Sequence, residues 1–261
     1  MTNKILSEVK DGIGWIVYNN PERRNAVSLA MAERVTEVVS EHNNNDDVRV
    51  VVVRGEGGKS FVAGQDISEF KELRSTPEGI ERYERITNGM YDGIRDCPKP
   101  VIAMIEGYCM GGGMAVACAC DIRICSDNSI FSIPAGRLGI GYRPRFTRWG
   151  VETVGGPLAK AILFTARRDD AAEALKIGLV NRVTSVGKLK GYVEEYANSI
   201  AENAPLSVRA SKRIVNEVGA GPGEWNMKEM QSLIDACSNS DDYVEGRQAF
   251  MEKRTPKFNG N

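Results

Sequence analysis

The sequence predicts an α/β fold, and two observations lead to that prediction. Over the first part of the chain, short apolar runs typical of buried strands alternate with stretches of helical spacing. From residue 155 onward the spacing is helical alone, so a helical region follows the mixed part. A chain of 261 residues is long enough to bury a full core in one or two domains.

Strands are predicted where short apolar runs end in glycine or polar turns. Residues 61–67 add a short apolar edge that enters a glycine turn. The predicted strands cover residues 5–19 (a strand–turn–strand pattern), 48–53, 101–105, 121–125 and 129–133.

Helices are predicted where apolar residues recur every three or four positions. Ser28 is placed to cap the first helix, and the second stretch breaks at Thr76 and Pro77. Residues 134–149 are glycine-rich and basic, and are predicted to be irregular. The predicted helices cover residues 29–41, 69–96, 114–120, 158–165, 169–176, 189–203, 205–217, 222–238 and 241–253.

A glycine triplet lies at the centre of this layout. Gly111, Gly112 and Gly113 follow the strand at 101–105 and precede the small, apolar helix at 114–120. Glycine lets the backbone approach a ligand closely, and the first turn of a helix presents N–H groups that have no intrahelical partner. The triplet therefore predicts backbone donors for a developing oxyanion. The alternative is that the glycines only permit close helix packing.

The composition excludes several classes of protein. A formal net charge of −1 gives no overall field that would favour nucleic acid or an acidic membrane. No apolar run reaches the roughly 18 residues that a membrane-spanning helix needs. The six cysteines form no Cys-x-x-Cys pair, and four lie in apolar or small-residue surroundings. This pattern predicts reduced core residues of a cytoplasmic protein.

The chain has a single histidine, His42. It stands in a polar stretch at the end of a predicted helix, which predicts a solvated surface residue. Catalytic triads that combine histidine with serine or cysteine would depend on this one residue. Zinc sites built on several histidines are excluded, and no cysteine cluster replaces them, so no metal is expected.

Short motifs along nearly the whole chain resemble those of the crotonase, or enoyl-CoA hydratase/isomerase, superfamily. Each motif alone is a weak match, whereas all of them in order are specific. They are residues 25–27 (NAV), 61–67 (FVAGQDI), 99–103 (KPVIA), 107–113 (GYCMGGG), 120–123 (CDIR), 171–174 (AAEA) with 178–181 (GLVN), and 249–254 (AFMEKR).

The resemblance implies a crotonase-like architecture. Residues 1–200 would form a spiral of ββα units in two nearly perpendicular sheets and would hold the ligand site. Residues 201–261 would form a helical region for trimer assembly. A homotrimer or a dimer of trimers is therefore expected.

The resemblance also implies a substrate held as a coenzyme A thioester, with no separate cofactor. The thioester carbonyl would accept hydrogen bonds from the backbone amides of Gln65 and Gly112. Phe250 and Lys253 match positions that reach the nucleotide, often that of a neighbouring subunit. The alternative for Lys253 is a solvated cation at a helix end. The residues expected to line the pantetheine and adenine path are Arg24, Ala26, Ala63, Asp66 and Ile67.

The chain departs from the superfamily at the two catalytic glutamates. Hydratases of the superfamily use two glutamates on one water, and the matching positions here are Ala115 and Ala135. A methyl group transfers no proton, so neither hydratase chemistry nor one-glutamate isomerase chemistry is expected by the family mechanism.

Tyr142 and nearby arginines are the candidates to replace those glutamates. Tyr142 matches a tyrosine of methylmalonyl-CoA decarboxylase, a superfamily member, and a phenol can donate to a carboxylate or an enolate. Arg137, Arg143 and Arg145 could hold a second carboxylate in bidentate geometry. The alternatives are a packing role for Tyr142 and surface ion pairs for the arginines.

Three functions remain open at this point. The first is decarboxylation, thioester hydrolysis or a lyase step on a polar acyl group, with Tyr142 and Arg143 at the site. The second is true hydration or isomerisation by a displaced carboxylate from Glu69, Glu72 or Glu84. The third is a non-catalytic protein that binds coenzyme A thioesters.

Overall fold

The computed structural model of the protein describes residues 3–219, 223 and 225–261. Its strands are β1 (Ile5–Lys10), β2 (Ile13–Tyr18), β3 (Val50–Gly55), β4 (Ser60–Val62), β5 (Val101–Ile105), β6 (Tyr108–Met110), β7 (Ile122–Ser126), β8 (Ile130–Ser132), β9 (Asp169–Asp170) and β10 (Arg182–Thr184). Its helices are α1 (Leu29–Asn43), α2 (Phe70–Leu73), α3 (Pro77–Asp96), α4 (Gly112–Ala119), α5 (Pro144–Thr165), α6 (Ala171–Lys176), α7 (Val186–Ala201), α8 (Pro205–Gly219), α9 (Met227–Ser238) and α10 (Asp241–Glu252).

The strands form two sheets. In the described part of the chain the larger sheet has the order β1-β2-β3-β5-β7-β10, and the smaller one has the order β4-β6-β8-β9. Both sheets are parallel through their centres, with antiparallel pairs at β1–β2 and β8–β9. The α/β prediction is confirmed. The division at residue 200 stays a prediction, although α8, α9 and α10 all lie in the region assigned to assembly.

The larger sheet is covered on both faces, which explains its nearly continuous apolar strands. Val51 and Val53 of β3 face the main core, which α1, α3 and α4 close. Val50 and Val52 face the other way, toward a second cluster that α7 closes. The smaller sheet then places the ends of β4 and β6 next to the start of α4.

Helix α5 corrects the prediction that residues 134–149 are irregular. It begins at Pro144, a residue that suits the first turn of a helix. Phe146 and Trp149 are buried in the main core. The chain leaves helical geometry at Gly155 (φ +78°), close to Pro157. This interruption hides the helical periodicity of the segment from a reading of the sequence.

Three short strands were not predicted. β6 has three residues between glycines, and β10 adds three mostly polar residues at the edge of the larger sheet. β9 pairs with β8, so α6 begins at Ala171 rather than at residue 169, with Asp170 as its cap. Helix α9 begins at Met227, and Pro222, its predicted start, lies outside the described residues.

The prediction that His42 is solvated is wrong. Helix α1 runs on to Asn43, which turns the imidazole toward the sheet and leaves the residue 3% exposed. Its Nε2 lies 3.2 Å from the carbonyl oxygen of Trp15. A Cβ on Gly14 would lie 2.8 Å from the ring, so a glycine there makes room for it. Burial lowers the pKa of His42.

The structure bears on the predictions about the cysteines and about membrane-spanning helices. The cysteines are free thiols, and every one but Cys237 is buried. Burial raises the pKa of the Cys97 and Cys109 thiols. None of the helices described is both long enough and apolar enough to span a bilayer.

Candidate active site

The glycine triplet lies between β6 and α4, at the predicted turn from strand to helix. Gly111 has φ +52° and ψ −107°, a backbone conformation that favours glycine. Its N–H donates to the carbonyl of Ser132 in β8 at 2.9 Å, so the neighbouring strand holds the turn. Helix α4 begins at Gly112, whose N–H belongs to the first helical turn and has no intrahelical acceptor.

A second backbone amide, that of Gln65, lies beside the triplet. Gly64 (φ +109°) turns the chain after β4, and its carbonyl accepts from the Val27 N–H at 2.8 Å. A Cβ on Gly64 would lie 3.5 Å from the Gly112 nitrogen, and a Cβ on Gly112 would lie 3.5 Å from the Gln65 nitrogen. The structure therefore brings together the two predicted donors. We call the N–H groups of Gln65 and Gly112 the two-amide hole.

The third glycine of the triplet has a packing role. A Cβ on Gly113 would collide with the backbone carbonyl of Val62 in β4. Close packing thus accounts for Gly113, whereas the donor role of Gly112 stays a prediction.

Two tyrosine hydroxyls contact the carbonyls of the triplet. The Tyr142 hydroxyl donates to the Gly111 carbonyl at 3.4 Å, and the Tyr91 hydroxyl donates to the Gly112 carbonyl at 3.5 Å. Burial raises the pKa of both phenols, so both remain protonated donors at neutral pH. Tyr142 therefore lies at the site, but its hydroxyl is directed at the protein backbone. Tyr91 joins it without having been predicted.

The two alanine positions lie in different elements. Ala115 is on α4, one turn after the start of the helix, and is 1% exposed. Ala135 lies in a short 3-10 helix (Pro134–Leu138) and packs half-buried against the main core. No proton-transferring group stands at either position.

The three candidate arginines differ in their surroundings. Arg143 donates to Glu84 Oε1 at 2.9 Å and to Asn88 Oδ1 at 3.1 Å, which joins the start of α5 to α3. Arg145 forms an ion pair with Asp92 at 2.6 Å near the surface. Arg137 is exposed and forms no ion pair within the described ranges. Arg143 is therefore the arginine that lies close to the site tyrosines.

The displaced carboxylates considered from the sequence have structural partners. Glu69 accepts from the Leu29 N–H at 2.9 Å and so caps α1. Glu84 is paired with Arg143, and Glu72 is exposed on α2. Glu84 is thus the one of the three that lies with candidate site residues.

Two other acids, Asp66 and Asp121, have structural partners. Asp66 caps the short helix that follows it by accepting from the Ser68 N–H, and it pairs with Arg23 at 2.9 Å. Asp121 accepts from the Val101 N–H at 2.7 Å and pairs with Lys212 at 2.7 Å.

The residues expected along the coenzyme A path come from two adjoining segments. Val27 and Gln65 form a β-bridge, and the Ala63 N–H donates to the Arg24 carbonyl at 3.1 Å. The Arg24 guanidinium lies 5.1 Å from the centre of the Tyr108 ring. The structure therefore brings Arg24, Ala26, Ala63, Asp66 and Ile67 into the neighbourhood of Gln65.

Phe250 and Lys253 lie elsewhere. Phe250 is on α10 and 82% exposed, and it borders a groove shared with α9 and the C-terminal tail. Lys253 ends α10 in the left-handed conformation (φ +54°) and is exposed. Neither contacts the two-amide hole of its own chain, and their nucleotide role stays a prediction.

Sequence reasoning missed Tyr91 and Asn88. Both lie on the face of α3 that meets α5, where the ring centres of Tyr91 and Phe146 are 4.5 Å apart. Helical periodicity could have indicated this face, but it could not identify the glycines and the arginine that it contacts. Over the residues described, no group of three or more His, Cys, Asp or Glu side chains could hold a metal ion.

Comparison with known proteins gives consistent matches. Residues 8–261 match the family model described as enoyl-CoA hydratase/isomerase. The chain is 35% identical to a short-chain-enoyl-CoA hydratase of Clostridium acetobutylicum, over 97% of this chain and 96% of the relative. It is 33% identical to a carnitinyl-CoA dehydratase of Proteus mirabilis over the full length of both.

Solved structures of the same family have the same fold as this chain. An enoyl-CoA hydratase/isomerase family protein from Hyphomonas neptunium superposes with a TM-score of 0.92 at 36% identity, covering 98% of this chain and 97% of that one. An enoyl-CoA hydratase from Bacillus anthracis gives a TM-score of 0.90 at 29% identity, covering 99% and 100%.

Proposed function

The chain belongs to the enoyl-CoA hydratase/isomerase family, and from that premise we propose that it acts on a polar acyl group carried as a coenzyme A thioester, without a separate cofactor. The thioester oxygen would accept hydrogen bonds from the Gln65 and Gly112 amides. These donors are backbone groups fixed by strands and a helix, so they need little reorganisation when charge develops on the oxygen.

The reaction we propose is one that forms a thioester enolate or oxyanion without a pair of carboxylates. In decarboxylation, the bond from the α-carbon to a carboxylate breaks and its electron pair moves toward the thioester oxygen. Carbon dioxide leaves, and the α-carbon then takes a proton from water. Thioester hydrolysis and a lyase step need the same hole. The observation that supports this proposal is that the Gln65 and Gly112 amides lie close together, while positions 115 and 135 hold alanines.

The polar end of the acyl group would meet Arg143. Its guanidinium is held by Glu84 and Asn88 on α3, so it has a fixed direction and keeps a positive charge near the tyrosines. A carboxylate on the substrate would compete with Glu84 for this guanidinium. This arrangement supports a carboxylated or otherwise polar acyl group over a plain alkyl chain.

Assembly as a homotrimer or a dimer of trimers, in the cytoplasm, belongs to the same proposal. The C-terminal helices expose large apolar side chains, which a second copy could cover. Phe250 and Lys253 would then reach the nucleotide bound by a neighbouring subunit. The exposed large apolar residues of these helices are Val215, Val218, Met227, Ile234, Tyr243, Val244, Phe250 and Met251.

Glu84 supports a second candidate function. It is a carboxylate beside Arg143 on the same side of the site, and several relatives are hydratases by name. Hydration or isomerisation with Glu84 as the base would need this ion pair to open. A protein that only binds thioesters is the third candidate.

Product analysis by mass spectrometry distinguishes the three candidates. The protein is incubated with methylmalonyl-CoA and, separately, with a panel of other acyl-CoA thioesters. The proposal predicts loss of carbon dioxide or release of free coenzyme A. Water addition would favour the second candidate, and tight binding with no turnover would favour the third.

A further inference from the structure

We propose that the hydroxyls of Tyr142 and Tyr91 are positioning groups. Tyr142 orients and polarises the Gly111–Gly112 peptide, Tyr91 restrains the carbonyl of the next peptide, and together they set how strongly the Gly112 N–H binds a thioester oxygen. The inference rests on the proposed function, because it needs a thioester in the two-amide hole. It assigns Tyr142 a role through the backbone in place of direct contact with the acyl group.

Tyr142 acts on the peptide group that carries the donor. The Gly111 carbonyl and the Gly112 N–H belong to one planar peptide unit, so a change at one end is felt at the other. The Tyr142 hydroxyl donates to this carbonyl at 3.4 Å, in addition to the Ala115 N–H at 3.3 Å. A hydrogen bond to the carbonyl polarises the unit and strengthens its N–H as a donor.

Tyr91 acts on the next peptide unit. Its hydroxyl donates to the Gly112 carbonyl at 3.5 Å. The Tyr91 hydroxyl oxygen would lie 2.8 Å from a Cβ on Gly112, so this hydroxyl packs directly against the glycine. Two successive carbonyls are thus each held by a phenol, one on either side of the Gly112 α-carbon.

The Gly111–Gly112 peptide needs this restraint because both of its residues are glycines. Gly111 is in a conformation that favours glycine, and Gly112 has no side chain, so neither residue resists rotation of the peptide between them. The tyrosines themselves are fixed by packing. The Phe146 ring lies 4.5 Å from the Tyr91 ring and 5.9 Å from the Tyr142 ring, measured between centres. One core residue therefore supports both hydroxyls.

The vibration of a bound thioester carbonyl tests this inference directly. Carbon-13-labelled acetyl-CoA is bound to the wild-type protein, and its carbonyl stretch is measured by isotope-edited infrared spectroscopy. Hydrogen bonds from the hole should lower this frequency relative to free acetyl-CoA. The variants are Tyr142→Phe, Tyr91→Phe and the double variant. Tyr83→Phe is the matched control, because Tyr83 is a buried tyrosine on α3 whose ring meets Phe70 and Arg74 instead.

We expect Tyr142→Phe to reduce the lowering of the frequency by about 10–30%, with a further loss in the double variant. On a substrate that turns over, kcat should fall about two- to sevenfold while KM stays nearly unchanged, since a donor that acts mainly on the developing charge affects the chemical step. Tyr83→Phe should behave as wild type in both measurements.

The outcomes separate the inference from its premise. If the wild-type protein binds acetyl-CoA without lowering the frequency, the proposed thioester site is wrong. If the wild type lowers the frequency and Tyr142→Phe lowers it equally, the positioning role is wrong. Thermal unfolding of each variant checks that the fold is kept, which is expected because phenylalanine retains the packed ring.

Discussion

The two sides of the candidate site are built differently. On one side, backbone amides of Gln65 and Gly112 are fixed by β4, β6 and α4, and the nearby side chains are small and apolar. On the other side, side chains from α3 and the start of α5 contribute a salt bridge and aromatic rings. Under the proposed function, the backbone side would hold any thioester carbonyl. The reaction and the acyl group are therefore determined on the side-chain side.

The backbone side should show the largest effect of a single substitution. Gly112→Ala places a methyl 2.8 Å from the Tyr91 hydroxyl and 3.5 Å from the Gln65 nitrogen, inside the two-amide hole. Turnover should fall about 100- to 1,000-fold, as when one oxyanion donor is removed. Steady-state kinetics measure this loss. Activity within threefold of wild type would contradict the assignment of the hole.

Gly113→Ala should affect a different property. Its methyl would collide with the Val62 carbonyl, which is backbone and cannot move aside. We expect the free energy of unfolding to fall by about 3 kcal/mol, at the upper end of overpacking costs. Urea denaturation measures it. The two glycines have different roles if Gly112→Ala lowers turnover with little change in the free energy of unfolding, whereas Gly113→Ala mainly lowers the free energy of unfolding.

This difference also explains what the sequence could reveal. The strand, the glycines and the small apolar helix are neighbours in the chain, so local pattern was enough to predict the donor at Gly112. Val27 and Gln65, or Glu84 and Arg143, are brought together by the fold from distant positions. The family resemblance supplied Gln65 as a partner of Gly112, but nothing in the sequence predicted either of these two pairs. The prediction for His42 was wrong for the same reason. Its sequence neighbours are polar, but the fold buries its side chain.

The side-chain side should show a smaller effect that depends on the substrate. Arg143→Gln removes the charge that would meet a carboxylated acyl group. We expect KM for such a thioester to rise about tenfold, the value of a charge-assisted hydrogen bond, with little change for acetyl-CoA binding. Arg145→Gln is the matched control, since Arg145 pairs with Asp92 near the surface. Equal effects of the two substitutions would argue against a specific role for Arg143.

The smallest effect should come from His42, which lies apart from both sides of the site. Its pKa is lowered in the folded protein, so the unfolded chain takes up the proton more readily. Stability from the buried neutral ring is therefore fully present above the ordinary pKa of about 6.5, and is lost as pH falls through that value toward the folded pKa.

Comparison with His42→Gln isolates this contribution from that of the carboxylates. The difference in free energy of unfolding between the two proteins should shrink as pH is lowered from 8 to 5, by urea denaturation at each pH. A difference that is constant across this range would show that His42 does not titrate differently on folding.

The central claim is that this chain keeps the two-amide hole and has given up the chemistry of a glutamate pair. Hydration of crotonyl-CoA by the unmodified protein, followed by mass spectrometry of the product, tests it most directly. We predict no water addition above the uncatalysed rate, although the thioester binds. Hydration at an enzymic rate would contradict the account, and Glu84→Gln would then show whether the carboxylate beside Arg143 is the missing base.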